Sequence, residues 1–122
     1  MSGDYQEHVE QFMMQGEQEF PQSIDSEMAS LYMSLITEEY NETWEAFHNK
    51  DLVEVADGLA DMVWVIMGMA SVLNIPFDAV WNEVRASNMS KFVDGKVVKN
   101  EDGKIMKPDG YFRPNIAKVI YD

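Results

Sequence analysis

Apolar positions recur at helical spacing through most of the first 88 residues. Val9, Phe12 and Met13 stand at i, i+3 and i+4 and predict a short amphipathic helix over residues 5–15. Pro21 breaks that run, and Ser23, Asp25 and Ser26 offer capping oxygens to a second helix over 26–48. Its apolar face is Met28, Leu31, Leu35, Ile36, Thr43, Trp44 and Phe47. Asn49-Lys50-Asp51 is a short connection, so a third helix over 52–73 returns antiparallel to the second. Asn74 suits the residue just past its end, and Pro76 stops any continuation. On this third helix Glu54, Asp57, Gly58 and Asp61 share an arc of about 100°, whereas Leu52, Val55, Leu59, Met62, Val63, Ile66 and Met67 occupy the other directions. Those other faces are expected to be buried. The acidic stripe itself turns apolar beyond Asp61, at Val65, Gly68 and Val72, and Ala56, Gly58, Ala60 and Gly68 would admit a closely packed neighbour.

A fourth helix is expected over 77–87, burying Val80, Trp81 and Val84. The helical pattern ends after Asn88. Val97-Val98-Lys99 and Lys104-Ile105-Met106 flank Asn100-Glu101-Asp102-Gly103 and read as a small hairpin. Pro108-Asp109-Gly110 is a further turn, and Pro114 opens a last short helix through Ile116, Val119 and Ile120. The expected architecture is all-α: one domain over 1–122, with a four-helix core at about 5–88 and a short, partly extended appendage at 89–122. A third helix apolar on nearly every side past Asp61 leaves a lone copy short of cover, so a homo-oligomer is expected.

Composition narrows this further. A chain of 122 residues with 46% apolar content is one ordinary globular domain. Absence of cysteine removes disulfides and thiolate metal sites. Met1-Ser2-Gly3-Asp4 lacks the basic and apolar regions of a signal peptide, and the apolar stretch Met62–Leu73 is short for a bilayer, so a cytoplasmic protein without a membrane partner is expected. The formal charge of -13 is divided unevenly. Residues 1–61 carry fifteen acids and one lysine, and residues 62–122 carry seven acids and eight of the nine basic residues. Duplex DNA binding needs a basic stripe that this chain lacks, so no nucleic-acid partner is expected. The division suits a site where carboxylates hold cations and basic side chains hold an anionic ligand.

The acids are grouped as well as numerous. Glu38, Glu39 and Glu42 form an E-E-x-x-E run on the second helix, and Glu54, Asp57 and Asp61 follow on the third, with no cation nearby in sequence to offset them. Antiparallel packing brings the two acidic turns face to face, and such a cluster needs cations. Oxygen donors with little histidine and no cysteine point to Mg²⁺ or Mn²⁺. Either run alone is most simply a solvated face; two on adjacent helices are less ordinary. The ten methionines, Met13, Met14, Met62, Met67 and Met69 among them, read as core filler. Phe12, Tyr32 and Trp44 are aromatic enough to stack on a base, although core packing is the simpler fate of Trp44. Glu45-Ala46-Phe47-His48 is an E-x-x-H, but a di-iron carboxylate site wants a second one and His8 supplies none. A non-enzymatic acidic interaction protein, such as a DNA mimic, is the alternative that charge alone supports.

The run Leu35-Ile36-Thr37-Glu38-Glu39-Tyr40-Asn41-Glu42, followed by Glu54-Val55-Ala56-Asp57-Gly58-Leu59-Ala60-Asp61, resembles the MazG-like all-α NTP pyrophosphohydrolases. That superfamily includes dimeric dUTPases and phosphoribosyl-ATP pyrophosphohydrolase. Glu83-Val84-Arg85-Ala86-Ser87-Asn88-Met89-Ser90-Lys91, and Gly103-Lys104 leading to Lys107-Pro108, are similar to its bacterial and phage branch. The resemblance spans about residues 28–114. It implies metal-dependent hydrolysis of a (deoxy)nucleoside triphosphate, with dGTP, dUTP or dCTP as candidates, to the monophosphate and pyrophosphate. It also implies two or more Mg²⁺ or Mn²⁺ ions per site and a homodimer or homotetramer. Glu39, Glu42, Glu54 and Asp57 would be the main ligands. Asp61 makes the register ambiguous and is a further ligand candidate, and Glu38 would orient or deprotonate the attacking water. Asn88 and Lys91 would contact nucleotide or phosphate. Lys104, Lys107 and Arg113 are additional phosphate candidates, with a solvated tail as the alternative.

Overall fold

The computed structural model describes residues 4–122; Met1-Ser2-Gly3, on which the expectation about targeting partly rests, lie outside the described residues. Among the described residues five helices form: α1 (Asp4–Gln15), α2 (Glu27–His48), α3 (Leu52–Val72), α4 (Phe77–Met89) and α5 (Ile116–Tyr121). The chain makes two compact units, one running up to Phe77 and the other Asp78–Asp122.

In the first unit the helix boundaries follow local chemistry. Ser26 caps α2 by accepting from the Ala29 N–H, and Asp51 caps α3 by accepting from the Glu54 N–H. α1, α2 and α3 each end in a left-handed residue, at Glu17, Lys50 and Asn74, with φ of 59°, 57° and 57°. In all three the next N–H reaches back to a carbonyl in the helix: Gln18 to Met13, Asp51 to Ala46 and Ile75 to Ala70. This is the Schellman arrangement, made here without glycine at the left-handed position. The end of α3 is also tied to α1. The Gln6 amide donates to Ser71 Oγ and the Ile75 carbonyl, and Gln6 Oε1 accepts from the Phe77 N–H.

α3 packs on α2 and α1, and its contact with α2 is seated on two glycines. A Cβ on Gly58 would overlap Thr43 Oγ1, and one on Gly68 would overlap the Tyr32 ring. Both pairs sum to 100 or 101 in residue number, as antiparallel helices in one register require. Glu39 therefore lies level with Asp61, and Glu42 with Asp57 and Gly58. Ala56 and Ala60, expected to serve the same close approach, are not buried; Ala60 is exposed. The core beneath is Val9, Met13, Ala29, Tyr32, Val65, Met67 and Val72.

Several large apolar residues expected inside are exposed. On α2, Leu31, Trp44 and Phe47 lie outside, and the buried positions are Ala29, Tyr32, Thr43 and Ala46. The seam selects small side chains because close helix approach excludes large ones. On α3, Leu52, Val53, Leu59, Val63 and Trp64 are exposed, so its faces are not all covered within one chain. α3 is the one helix among the described residues long and apolar enough to cross a membrane. Its glycine seats and three acids fit the central helix of a packed core.

The second unit holds α4, the tail and α5. α4 runs two residues past the expected end, so Asn88 lies in its last turn and not beyond it. Val80 and Val84 are only half-buried, Trp81 is exposed, and the buried α4 residue is Ser87. Ser87 Oγ donates to the Phe112 carbonyl at 2.8 Å, and Ser90 Oγ accepts from the Phe112 N–H at 3.1 Å, which pins the tail to α4. Glu83 accepts from the Asn115 N–H, and Asn115 caps α5. The tail is extended, and its pairing reduces to two isolated bridges, Val93 with Lys96 and Lys99 with Ile105. The second closes over the expected Asn100–Gly103 turn, where Asn100 Oδ1 accepts from the N–H groups of Asp102 and Lys104. Asp94 and Gly95 form the first turn, both at positive φ.

Candidate metal centre

The register fixed by Gly58 and Gly68 places two acidic turns on one side of the α2–α3 seam. A pocket of about 280 Å³ opens there, lined by Glu39, Glu42 and Glu45 from α2 and by Glu54, Asp57 and Asp61 from α3. Asp51 and Asn49 close its end at the connection. No lysine or arginine is among these lining residues. Glu38, Glu39 and Glu42 place oxygens within 4.8 Å of one another, close enough to share a cation. Glu54, Asp57 and Asp61 form the facing wall.

Glu39 is the half-buried member of that trio; Glu38 and Glu42 are exposed. Partial desolvation raises its carboxyl above the ordinary range, and the charges of Glu42, Asp61, Glu38 and Asp57 raise it further. The carboxylates therefore repel one another across the seam as well as along each helix. The donor set, all oxygen, fits a hard divalent cation. Thr43 joins the site to the seam: its Oγ1 donates to the Glu39 carbonyl at 2.7 Å, and the same hydroxyl is the atom that an added Cβ on Gly58 would overlap.

The structure thus brings together Glu39, Glu42, Glu54, Asp57 and Asp61 around one pocket, with Glu38 beside the α2 acids but outside the lining. Two lining acids are not marked as site residues by the sequence pattern. Glu45 continues the E-x-x-E spacing of Glu42 by another three residues, and Asp51 stands out only as part of a connection. Of the E-x-x-H that contains Glu45, the acidic pocket takes the glutamate and not the histidine. Glu45 faces the pocket, while the His48 ring stands edge-on to Trp44 at 4.6 Å.

The basic and amide candidates belong to the second unit. Lys91, Lys107 and Arg113 surround Tyr111, whose phenol is lowered by its hydrogen bond with Ser87 and then by these three cations. Lys107 Nζ stands 5.2 Å from the Tyr111 ring centroid. Asn88 and Lys104 are exposed and do not join this group. Of the base-stacking aromatics, Tyr32 is buried and donates to Gln18 Oε1, Trp44 stands among Tyr40, Phe47 and His48, and Phe12 packs edge-on against Trp64.

An all-helical unit with facing carboxylate turns on antiparallel helices defines the class: an all-α pyrophosphohydrolase of the MazG-like superfamily. Residues 7–88 match phosphoribosyl-ATP pyrophosphohydrolase, and the chain belongs to that family. No curated protein matches the chain. The match spans α1 to the last turn of α4 and so includes both acidic turns. The chain is accordingly an enzyme of pyrophosphohydrolase type, in a superfamily that typically uses divalent metal ions.

Proposed function

We propose that the chain hydrolyses a (deoxy)nucleoside triphosphate to the monophosphate and pyrophosphate, with Mg²⁺ or Mn²⁺ held between α2 and α3. The observation that carries this is the carboxylate-lined pocket between two glycine-seated helices. Glu39, Glu42, Glu54, Asp57 and Asp61 would hold two or more ions. When bound, such ions neutralise phosphate oxygens and make water a better nucleophile.

The chain's own contribution is then orientation and proton transfer. Glu38 would take the proton of the attacking water; its carboxylate lies beside those of Glu39 and Glu42. The bond between the α- and β-phosphoryl groups breaks, and pyrophosphate leaves. Lys91, Lys107 and Arg113 share the surroundings of Tyr111 and suit phosphate oxygens. Asn88 and Lys104 keep their assignment from family resemblance alone. The substrate candidates are dGTP, dUTP and dCTP, the setting is control of a nucleotide pool, and the assembly is a homodimer or homotetramer that covers exposed apolar residues such as Leu31, Trp44 and Phe47 of α2 and Leu52, Val53 and Leu59 of α3.

Metal dependence tests the reading. Chelation should abolish turnover, Mg²⁺ or Mn²⁺ should restore it, and Glu39→Gln and Asp57→Asn should each be inactive. Full turnover by both variants would overturn the assignment.

A further inference from the structure

A second pocket, of about 340 Å³ and almost wholly apolar, lies between α1 and α3. Ala60, Val63, Trp64 and Met67 of α3 form one side, and Tyr5 and His8 of α1 stand on the other. Its position relative to the acids follows from the helix itself. Asp57 and Ala60, Asp61 and Trp64, and Ala60 and Trp64 are separated by three or four residues, so each pair is adjacent on the surface of α3. The two pockets therefore share a border along the helix. Trp64 lies three residues past Asp61 and seven past Asp57, which is roughly 5–10 Å along the axis. A sugar with its α-phosphate spans a comparable length.

We propose that this pocket takes the nucleobase of the substrate, with Trp64 as the stacking surface and Ala60 as the floor. The proposal rests on the triphosphate reading above, because it needs the phosphates held at the acidic pocket. Trp64 suits a stacking role by its setting. Trp64 is 40% exposed, and its ring meets that of Phe12 in a T-shaped contact, with centroids 5.5 Å apart and planes at 80°. A partly exposed indole held by contact with a second ring suits base stacking. Ala60 carries the smallest side chain in the lining and leaves the depth a planar ring occupies. Tyr5 and His8 bring a phenol and an imidazole to the rim, where they meet the polar edge of the base. Since the rest of the lining is apolar, discrimination between bases falls to these two. The aromatic groove at Tyr40, Trp44 and Phe47 does not compete for this role. It lies with Val55, Leu59 and Met62 on the other side of the α2–α3 seam from the acids.

The experiment compares a ligand that has a base with one that lacks it. For the full chain with Mn²⁺, KM is measured for the best triphosphate, and Ki for inorganic tripolyphosphate, in the wild type, Trp64→Ala and Ala60→Leu. Loss of one base stack corresponds to roughly ten- to a hundredfold in affinity. The expected result is a KM increase of that order in both variants, with Ki for tripolyphosphate unchanged. Ala60→Leu places a good helix former at an exposed position and so guards against a folding defect in Trp64→Ala. An unchanged KM in both variants overturns the pocket, as does a parallel rise in Ki. A change in the association state of Ala60→Leu that accounts for its KM overturns it in favour of a second copy of the chain. If the wild type turns over no triphosphate, the functional reading fails on its own. The pocket is then judged by quenching of tryptophan fluorescence with a nucleoside monophosphate, which Trp64→Ala should lose.

Discussion

Gly58 meets Thr43 across the α2–α3 seam so closely that a single added carbon on the glycine would overlap the threonine hydroxyl. The same hydroxyl donates to the Glu39 carbonyl, so helix approach and placement of the acidic turn share one residue. Gly58→Ala should therefore force the helices apart and cost roughly 1–3 kcal/mol, as overpacking does. Thr43→Ala should offset part of that cost. A double-mutant cycle read by denaturant unfolding checks it, and strictly additive effects would show that the contact does not set the spacing.

The left-handed helix ends make a prediction of opposite sign. Lys50 occupies φ 57° with a full side chain, a conformation costing an L-residue roughly 1–2 kcal/mol. Lys50→Gly should stabilise the chain by roughly 0.5–1 kcal/mol, and Lys50→Val should destabilise it. Equilibrium unfolding of the two variants should bracket the wild type.

Metal-free stability should depend on pH through Glu39. Its carboxyl is raised in the folded chain, so in that window the folded state binds more protons than the unfolded one, and stability falls as pH rises. The penalty is complete above the raised value and disappears on acidification below the ordinary carboxylate range. The Tm of the metal-free protein should rise as pH is lowered from neutrality towards that window, and Glu39→Gln should flatten the rise. Saturating Mn²⁺ should raise Tm at neutral pH by linkage. An identical pH profile for wild type and Glu39→Gln would count against the electrostatic picture.

Glu38 and Glu39 are neighbours with different expected roles. Glu38→Gln should retain Mn²⁺ binding and lower kcat by ~10²–10⁴-fold, the usual loss on removing a general base. Glu39→Gln should lose Mn²⁺ affinity itself. Direct Mn²⁺ titration separates the two, and equal loss of binding would make Glu38 a ligand.

How much of the fold is legible in the sequence depends on what each residue must know about its neighbours. Helix ends are local, so Ser26, Asn74 and the Asn49–Asp51 connection are readable, and so is the antiparallel pair of acidic turns. Gly58 and Gly68 read correctly as points of close approach, but Ala56 and Ala60 look the same in sequence and are not buried. Only the facing helix distinguishes them. Periodicity identifies the apolar stripe of α2 yet assigns burial to Leu31, Trp44 and Phe47, whereas the seam takes Ala29, Thr43 and Ala46. Asp94-Gly95 carries a strong local turn signal, and the structure turns there as well as at Asn100–Gly103. Glu45 stands out in sequence through its spacing to His48, and its place in the acidic pocket follows from helix register instead. Trp64 has no motif to mark it, since its significance lies in the contact with Phe12 and in α1 opposite.

The carboxylate pocket is proposed to hold metal ions for the cleavage of a nucleoside triphosphate. The decisive experiment incubates the protein with dGTP, dUTP, dCTP and the corresponding ribonucleotides, with Mg²⁺ or Mn²⁺, and resolves every product. At least one of them should yield equimolar nucleoside monophosphate and pyrophosphate, with neither product after chelation or in Asp57→Asn. Release of orthophosphate with a nucleoside diphosphate, or no turnover of any nucleotide, would contradict that proposal.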